Sequence, residues 1–441
     1  MNLPDRILIV GLGKTGIATA KFLSQANKNI TIIDAKKKEE LSSALDELRG
    51  INFKSHFGSN NKDDFLGYPM IIISPGVDSE MSCLREARQS GAKVIGEIEL
   101  ASLFVKEPII AITGTNGKTT VTSLVGEIFE KAYGSVFVGG NIGNPLINYV
   151  LEGKKAKYVI LEISSFQLET IETFRPDTSI LLNIAEDHLD RYSGYREYMH
   201  AKYRIFENQQ EKDLAILNKD IHIEREIKAR KLFFKNNESL KEGAFSFNNK
   251  MYVRLMGKEI VYNREVSPLA GIHNTENILS ALLVSHLYGI EKDLIEEVLK
   301  NFKGLPHRIE PVRELKGVKF YNDSKATNVD ATKRALEGMG NNVILIAGGK
   351  DKGGSYKIIS DLIKNIKAMV LIGEAGQRIL EELGKYTKTY MEDDLYDAVN
   401  KAYEISSNGD IILFSPMCSS FDMFRDYKER GNIFKEMVKM L

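Results

Sequence analysis

The stretch "AITGTNGKTT", residues 111 to 120, has the residue types for handling phosphate. An apolar run leads into Gly114, Thr115, Asn116, Gly117, Lys118, Thr119 and Thr120, and a helical pattern follows. Backbone N–H groups left uncovered by glycine can surround phosphate oxygens, and a helix start adds potential favourable to an anion. Lys118 supplies a point charge for the β- and γ-phosphates, and the Thr119 hydroxyl can reach Mg2+. The standard G-x-x-x-x-G-K-[ST] spacing would put its first glycine at Ile112, so the loop is a variant. Glu162 ends the strand-like "YVILE" and offers the carboxylate that a magnesium ion beside such a loop needs.

A second cluster follows the strand-like "TSILLNI": Glu186, Asp187, His188, Asp190, Arg191 and then Lys202. Its place after a buried strand points His188 toward a metal or a substrate, whereas Lys202 sits among aromatic residues with nothing to single it out. "GGNIGNPL" can show bare backbone to a ligand, with Asn141 as its polar side chain, and reads equally well as a plain turn. "HNTENILSALL" opens a helix with His273, Asn274 and Asn277; Asn274 fits a helix cap, and the asparagines fit an adenine edge. In the last third, "YNDSKATN" offers Asp323, Ser324, Lys325, Thr327 and Asn328, and "GGKDKGG" offers Lys350 and Lys352. "SPMCSSFDMFRDY" offers Ser419, Ser420, Asp422 and Arg425. Cys418 reads as a small buried residue.

Near the N-terminus, "RILIVGLGKTGI" sets Gly11, Gly13 and Gly16 after a strand-like run, with Asp34 closing the next one. By itself this is a dinucleotide fingerprint, which makes a nicotinamide-dependent oxidoreductase the rival class; a lone G-x-G-x-x-G is weak support.

The elements that must position these residues are short apolar runs alternating with amphipathic helices, the pattern of parallel strands covered on both faces. The fold class is α/β in three successive domains. Residues 1–98 form a Rossmann-like domain, 99–305 a P-loop ATPase-like parallel sheet, and 306–441 a second Rossmann-like domain. The runs between Asp213 and Val266 have period-two character and predict a small antiparallel β insertion. Pro306 and Pro311 bracket a predicted hinge. The chain has 441 residues with 60 basic and 60 acidic side chains, which argues against a nucleic-acid or membrane-surface binder. Its two cysteines make neither a disulfide framework nor a zinc site, and its apolar runs are too short to span a bilayer. A cytoplasmic monomer is the expectation.

In order along essentially the whole chain, "TGTNGKTT", "LEISSFQLE", "NIAEDHLDRY" with Lys202, "GIHNTENILSAL", "GLPHRIE", "NDSKATN" and "SPMCSSFDMF" resemble the motifs of the Mur ligase family. These are the ATP-dependent amide-forming enzymes of peptidoglycan precursor synthesis. Within it the motifs look most like those of the D-glutamate-adding branch. The L-alanine-adding branch typically has His in place of Asn116, and the Asp-Asn-Pro-Arg motif of the diamino-acid branch is not found. Folylpolyglutamate synthase is similar only in the central and C-terminal domains. A family relative using another amino acid is the alternative.

The resemblance implies a role for each motif. The UDP-sugar–alanine substrate would meet Gly13, Lys14, Thr15, Asp34, Ser74, Pro75, Gly76, Asn141, Ser164 and Gln167; Lys14 departs from the apolar residue expected at its position. ATP would meet residues 114–120 with Asn274, Asn277, Arg308 and Asp323. Two Mg2+ ions would use Thr119, Glu162, His188 and a carbamylated Lys202. Lys325, Thr327, Lys352, Ser420 and Tyr427 would hold D-glutamate. Lys118, His188 and Lys202 are the implied catalytic residues.

Overall fold

The computed structural model of the chain describes residues 3–58, 61–188, 191–269 and 271–441, with only the backbone at residues 272 and 273. Asp190 and the His273 side chain therefore lie outside the described residues. Three sheets follow one another. The first runs β1 (Arg6–Val10), β2 (Asn29–Asp34), β3 (Lys54–Phe57), β4 (Met70–Ile73) and β5 (Lys93–Gly96), paired in the order β3-β2-β1-β4-β5 and all parallel. Ile7 to Val10 and Met70 to Ile73 are buried throughout, as strands covered on both faces must be.

The middle sheet has nine strands: β6 (Ile109–Thr113), β7 (Val136–Gly140), β8 (Tyr158–Glu162), β9 (Thr178–Leu181), β10 (Leu214–Asn218), β11 (Arg230–Lys235), β12 (Gly243–Phe247), β13 (Lys250–Leu255) and β14 (Lys258–Asn263). Their order is β14-β13-β12-β11-β10-β9-β6-β8-β7. The predicted antiparallel insertion is narrower than the period-two pattern suggested. β10 and β11 continue the parallel sheet and β12 joins it in parallel, so only β12-β13-β14 pair antiparallel. The cause is burial: "LAILN" packs between two layers, and alternation carries no information about direction in a strand hidden on both faces.

The last sheet has β15 (Glu310–Leu315), β16 (Val318–Asn322), β17 (Val343–Gly348), β18 (Ala368–Ile372), β19 (Lys388–Met391) and β20 (Ile411–Phe414). Its order is β15-β16-β20-β17-β18-β19, parallel except for the β15–β16 hairpin.

How the three units join decides what can move. The first sheet and one face of the middle sheet share a single apolar core, from Ile7 and Ile72 through Ile98 and Leu100 to Ile109 and Leu161. Glu99 strengthens that junction: its buried carboxylate accepts hydrogen bonds from the N–H groups of Glu172, Thr173 and Phe174 and from the Thr173 hydroxyl, at 2.6–2.9 Å. The third sheet keeps its own apolar cores on its two faces. It meets the rest through polar side chains around the phosphate loop.

Candidate active site

The phosphate loop lies where β6 ends and the helix Lys118–Tyr133 begins. Gly117 caps that helix at φ +87°, a backbone that suits glycine, and a Cβ there would lie 2.3 Å from Asn277 Oδ1. Lys118 folds back over the loop and donates to the carbonyls of Gly114 (2.8 Å) and Thr115 (2.9 Å). Burial lowers its amine below the usual lysine range, opposed by the charges of Glu162 and Asp187. Asn116 is fixed through its backbone: its N–H donates to Asn183 Oδ1 at 2.8 Å, and its carbonyl accepts from Asn183 Nδ2 at 2.9 Å. Thr115 Oγ1 meets Ala185 N at 3.0 Å and the Tyr198 hydroxyl at 3.0 Å. Thr120 is buried with no partner for its hydroxyl.

Glu162, at the end of the neighbouring strand β8, is 2% exposed. Its Oε1 accepts from Asn141 Nδ2 at 2.8 Å, while its Oε2 is buried without any hydrogen-bond partner. A carboxylate oxygen left bare in the interior is costly, and a cation at that position removes the cost. The donor set of a hydroxyl, a carboxylate and substrate phosphate oxygens suits magnesium. Among the described residues no three His, Cys, Asp or Glu side chains cluster as a metal cage. A metal here would therefore share its coordination with the nucleotide.

Lys202, on the helix Tyr195–Tyr203, is 1% exposed. Its Nζ donates to Gly114 O at 3.0 Å and lies 4.5 Å from the centre of the Tyr198 ring. Burial first, and the Lys118 charge second, push its amine well below the usual range. His188 holds φ at +56°, a conformation that costs a non-glycine residue about 1 kcal/mol or more. Its ring packs edge-on to Phe166 at 4.8 Å, and burial lowers its pKa to about 4, so it is neutral near pH 7. Asp187 is held at about 2: burial opposes its charge, but Lys352, His188 and Asn328 outweigh it.

The third domain reaches this site with several side chains. Lys352 Nζ lies 3.2 Å from Asp187 Oδ1, and Asn328 Nδ2 donates to Asp187 Oδ2 at 2.9 Å. Thr327, Asn328, Lys352, Asp187, Tyr195 and Tyr356 line a cavity of about 270 Å3 between the domains. Ser420 is buried beside the Lys350–Ser419 bridge that joins the loops after β17 and β20. "NDSKATN" predicts Lys325 among amino-acid ligands. Its ammonium donates to Thr119 Oγ1 at 2.7 Å, because the turn after β16 descends onto the phosphate loop. Burial takes Lys325 down to about 7, and Tyr427 lies beneath it at 5.4 Å. Asp323 is raised to about 7 by burial while accepting from Ser415 Oγ at 2.8 Å and from Ile309 N at 3.2 Å. Arg308, Asp323, Lys325 and Asn277 line a narrow cavity with Asn116 and Gly117.

Asn274 falls inside the first turn of the helix Ile272–Leu287, whose cap is Gly271, so it does not serve as the cap. Its Oδ1 accepts from Asn277 Nδ2 at 3.1 Å.

The N-terminal glycine loop is a separate surface. Gly13 caps the helix Lys14–Gln25, and a Cβ on Gly16 would strike Gly11 O at 2.0 Å, so the close turn requires glycine. Asp34 Oδ2 accepts from Leu12 N at 2.7 Å, and Ser74 Oγ donates to Gly11 O at 2.8 Å; together they fix the loop. Lys14 is exposed and Thr15 is half-buried. Arg191 ties this surface to the segment after β9 that carries Asp187 and His188, donating to Pro75 O and Val77 O at 3.0 Å and pairing with Glu169 at 3.0 Å. Gly76 lies exposed between those two carbonyls. Ser164 and Gln167 hydrogen-bond each other as a capping box at the start of the helix Ser165–Leu168.

Sequence reasoning missed four contributors. Asn183 stands two residues past the end of β9, a position at the carboxyl edge of a parallel sheet that could have marked it. Asp330 and Arg334 look like an ordinary surface pair one helical turn apart. Arg430 is fully buried and binds Ser324 O, Cys418 O and Ser419 O at 2.8–3.1 Å; its sequence context gives no sign of that.

Three α/β units closing on a lysine-headed phosphate loop define a nucleotide-driven ligase, and the comparisons agree. Family models match throughout: Mur ligase MurD-like, N-terminal domain over residues 5–96, Mur ligase middle domain over 112–285, and Mur ligase, glutamate ligase domain over 307–418. The chain belongs to the Mur ligase family and is an ATP-dependent amide-forming ligase. It is 45% identical to UDP-N-acetylmuramoylalanine–D-glutamate ligase of Geotalea daltonii, over 99% of this chain and 97% of that one. Its identity to the enzyme of the same name from Geobacter metallireducens is 46%, with the same coverage. Among solved structures, UDP-N-acetylmuramate-alanine ligase of Thermotoga maritima shares the fold, with a TM-score of 0.61 at 19% identity over 99% of both chains. No helix among the described residues is long and apolar enough to cross a membrane.

Proposed function

We propose that this chain joins D-glutamate to UDP-N-acetylmuramoyl-L-alanine in peptidoglycan precursor synthesis, converting ATP to ADP and phosphate. The likeness to D-glutamate ligases over the full length carries the choice of substrates, and the structural observation that supports the ATP-driven chemistry is the bare, buried Oε2 of Glu162 beside a phosphate loop headed by Lys118. In this reading residues 1–98 hold the UDP moiety, 99–305 hold ATP and 306–441 hold the amino acid. The protein acts as a cytoplasmic monomer.

Two anions must meet, the substrate carboxylate and the γ-phosphate; at 4 Å they repel by about 4 kcal/mol at an effective dielectric of 20. Lys118 and Lys325 bring positive charge to that meeting point. Thr119 and Glu162 would hold one Mg2+, and His188 with a carbamylated Lys202 a second; the ions would neutralise and polarise the phosphoryl group. A carboxylate oxygen bonds to the γ-phosphorus as the bond to the ADP oxygen breaks, giving an acyl phosphate. The D-glutamate nitrogen then adds its lone pair to the acyl carbon, loses a proton, and phosphate departs with the C–O electron pair. His188, neutral at physiological pH, is available to the metal or to that proton. Lys352, Thr327 and Ser420 hold the D-glutamate carboxylates, with Tyr427 against its chain. Asn274 and Asn277 face adenine, and Arg308 and Asp323 face phosphate and ribose. On the acceptor side, Gly13, Lys14, Thr15, Asp34 and Ser74 to Gly76 meet UDP, with Asn141, Ser164 and Gln167 nearer the reacting end.

Lys202 has the character that carbamylation needs, since only an unprotonated amine adds CO2 and burial lowers the cost of losing this proton. The overall reading is tested by incubating enzyme, acceptor, ATP, Mg2+ and isotope-labelled D-glutamate. One label should appear per acceptor with equal ADP; label that stays free would refute it.

A further inference from the structure

The helix Val329–Glu337 of the third domain bears on the phosphate loop at a point that the proposed chemistry does not use. Asp330 Oδ2 accepts a hydrogen bond from Asn116 Nδ2 at 2.7 Å, across the interface of the second and third domains. The same oxygen accepts from Arg334 Nε at 2.8 Å, one turn further along the helix. Arg334 then reaches back to the middle domain and pairs with Glu276 at 3.4 Å, on the helix that carries Asn277. Asn116 is the loop residue whose backbone is already clasped by Asn183, so its side-chain amide is the handle left for another domain. Asp330, Arg334 and Glu276 are each less than one-quarter exposed, and so are screened less than a surface pair.

We propose that Asp330 and Arg334 form an interdomain latch that holds the third domain shut on the phosphate loop and presents Asn116 in its ligand-ready position. Asp330 is a positioning residue in this scheme: it acts through Asn116 and touches no reacting atom. The third domain has its own apolar cores and meets the others through polar contacts, so a few such contacts set how often it is closed. A ligand that binds only the closed form has its apparent affinity reduced by the fraction of molecules that are open. The inference rests on Asn116 belonging to the nucleotide loop.

The test is run first without substrates, so its outcome is independent of which amino acid is joined. Cys83 and Cys418 are both buried, so cysteines introduced at the exposed Met256 and Tyr396 can carry a fluorescent pair that reports the distance between the second and third domains. Asp330→Ala and Arg334→Ala should each shift the ligand-free distribution to longer separations, and the double variant should add little to either. Their KM for ATP should rise roughly 3- to 10-fold with kcat within about twofold, at an unchanged melting temperature. An unchanged distance distribution overturns the latch, as does a fall in kcat at constant KM. A lowered melting temperature without a change in distance would leave the contact purely structural and also overturn it.

Discussion

Lys118 spends its hydrogen bonds on two carbonyls of its own loop, Gly114 and Thr115, so it is already in place when phosphate arrives. Lys118→Ala should lower kcat/KM about a thousandfold, a loss typical of removing one charge-stabilising donor, and leave the melting temperature nearly unchanged. A circular-dichroism melt alongside the assay checks both halves. Lys202 gives a second expectation: with 13C-labelled bicarbonate the enzyme should show a carbamate carbon resonance that Lys202→Arg lacks. A spectrum identical in the two proteins contradicts carbamylation. Glu97 gives a third. It is buried at the junction of the first two domains, accepts from Ile147 N at 2.6 Å, and is raised by burial to about 7. Its folded form holds a proton that the unfolded chain gives up at lower pH, so its cost to stability grows from about pH 4.5 to 7 and is constant above. Glu97→Gln should therefore raise the melting temperature at pH 8, by a few degrees, and have little effect at pH 4. At this scale the placing of Lys118, Thr119 and Glu162 beside one another was legible in the sequence, because each follows directly from position at or just after a strand end. The contact of Lys325 with Thr119, and Asp330 altogether, were not legible, because what they touch belongs to another domain hundreds of residues away in the chain.

The elements explain why that loop has its shape. β6 and β8 lie side by side in register, Ile112 opposite Glu162, so the phosphate loop and the carboxylate emerge together at the carboxyl edge of the sheet. The helix Lys118–Tyr133 starts from Gly117 in the left-handed region with Asn277 packed against it. Gly117→Ala would force a Cβ into Asn277 and strain the cap by about 1–2 kcal/mol. Its KM for ATP should rise tenfold or more, measured by initial rates, and a value close to wild type would show that this turn does not shape the nucleotide site. The apolar runs and glycine turns were enough to place the buried central strands of the three sheets, but not β3, β7, β15 and β19 at their edges, whose short or half-exposed runs stand out less. They misjudged the direction of β10 and β11, because pairing direction depends on which neighbour a buried strand finds and not on its own pattern.

For the whole molecule, the contrast between its two interfaces matters most. The first two domains share an apolar core and are pinned by Glu99, whereas the third is attached through Lys325–Thr119, Asp330–Asn116 and Lys352–Asp187. Polar interfaces between domains permit relative motion, and those three contacts surround the space where the reactants must meet. Calorimetry should resolve two unfolding transitions, one for residues of the first two domains and one for the third, drawn together by ATP and Mg2+. A single transition unaffected by nucleotide would mean that the third domain is not an independent unit. The three-domain plan was legible from the alternating strands and helices. The closed arrangement was not, since it rests on side chains that meet only after the domains have folded.

The most direct test of the central claim is phosphate release from ATP by the purified enzyme with UDP-N-acetylmuramoyl-L-alanine, Mg2+ and each of a panel of amino acids in turn. Release should depend on D-glutamate, match the amide formed one for one, and be absent without the acceptor. Equal release with another amino acid, or none with D-glutamate, would contradict the account.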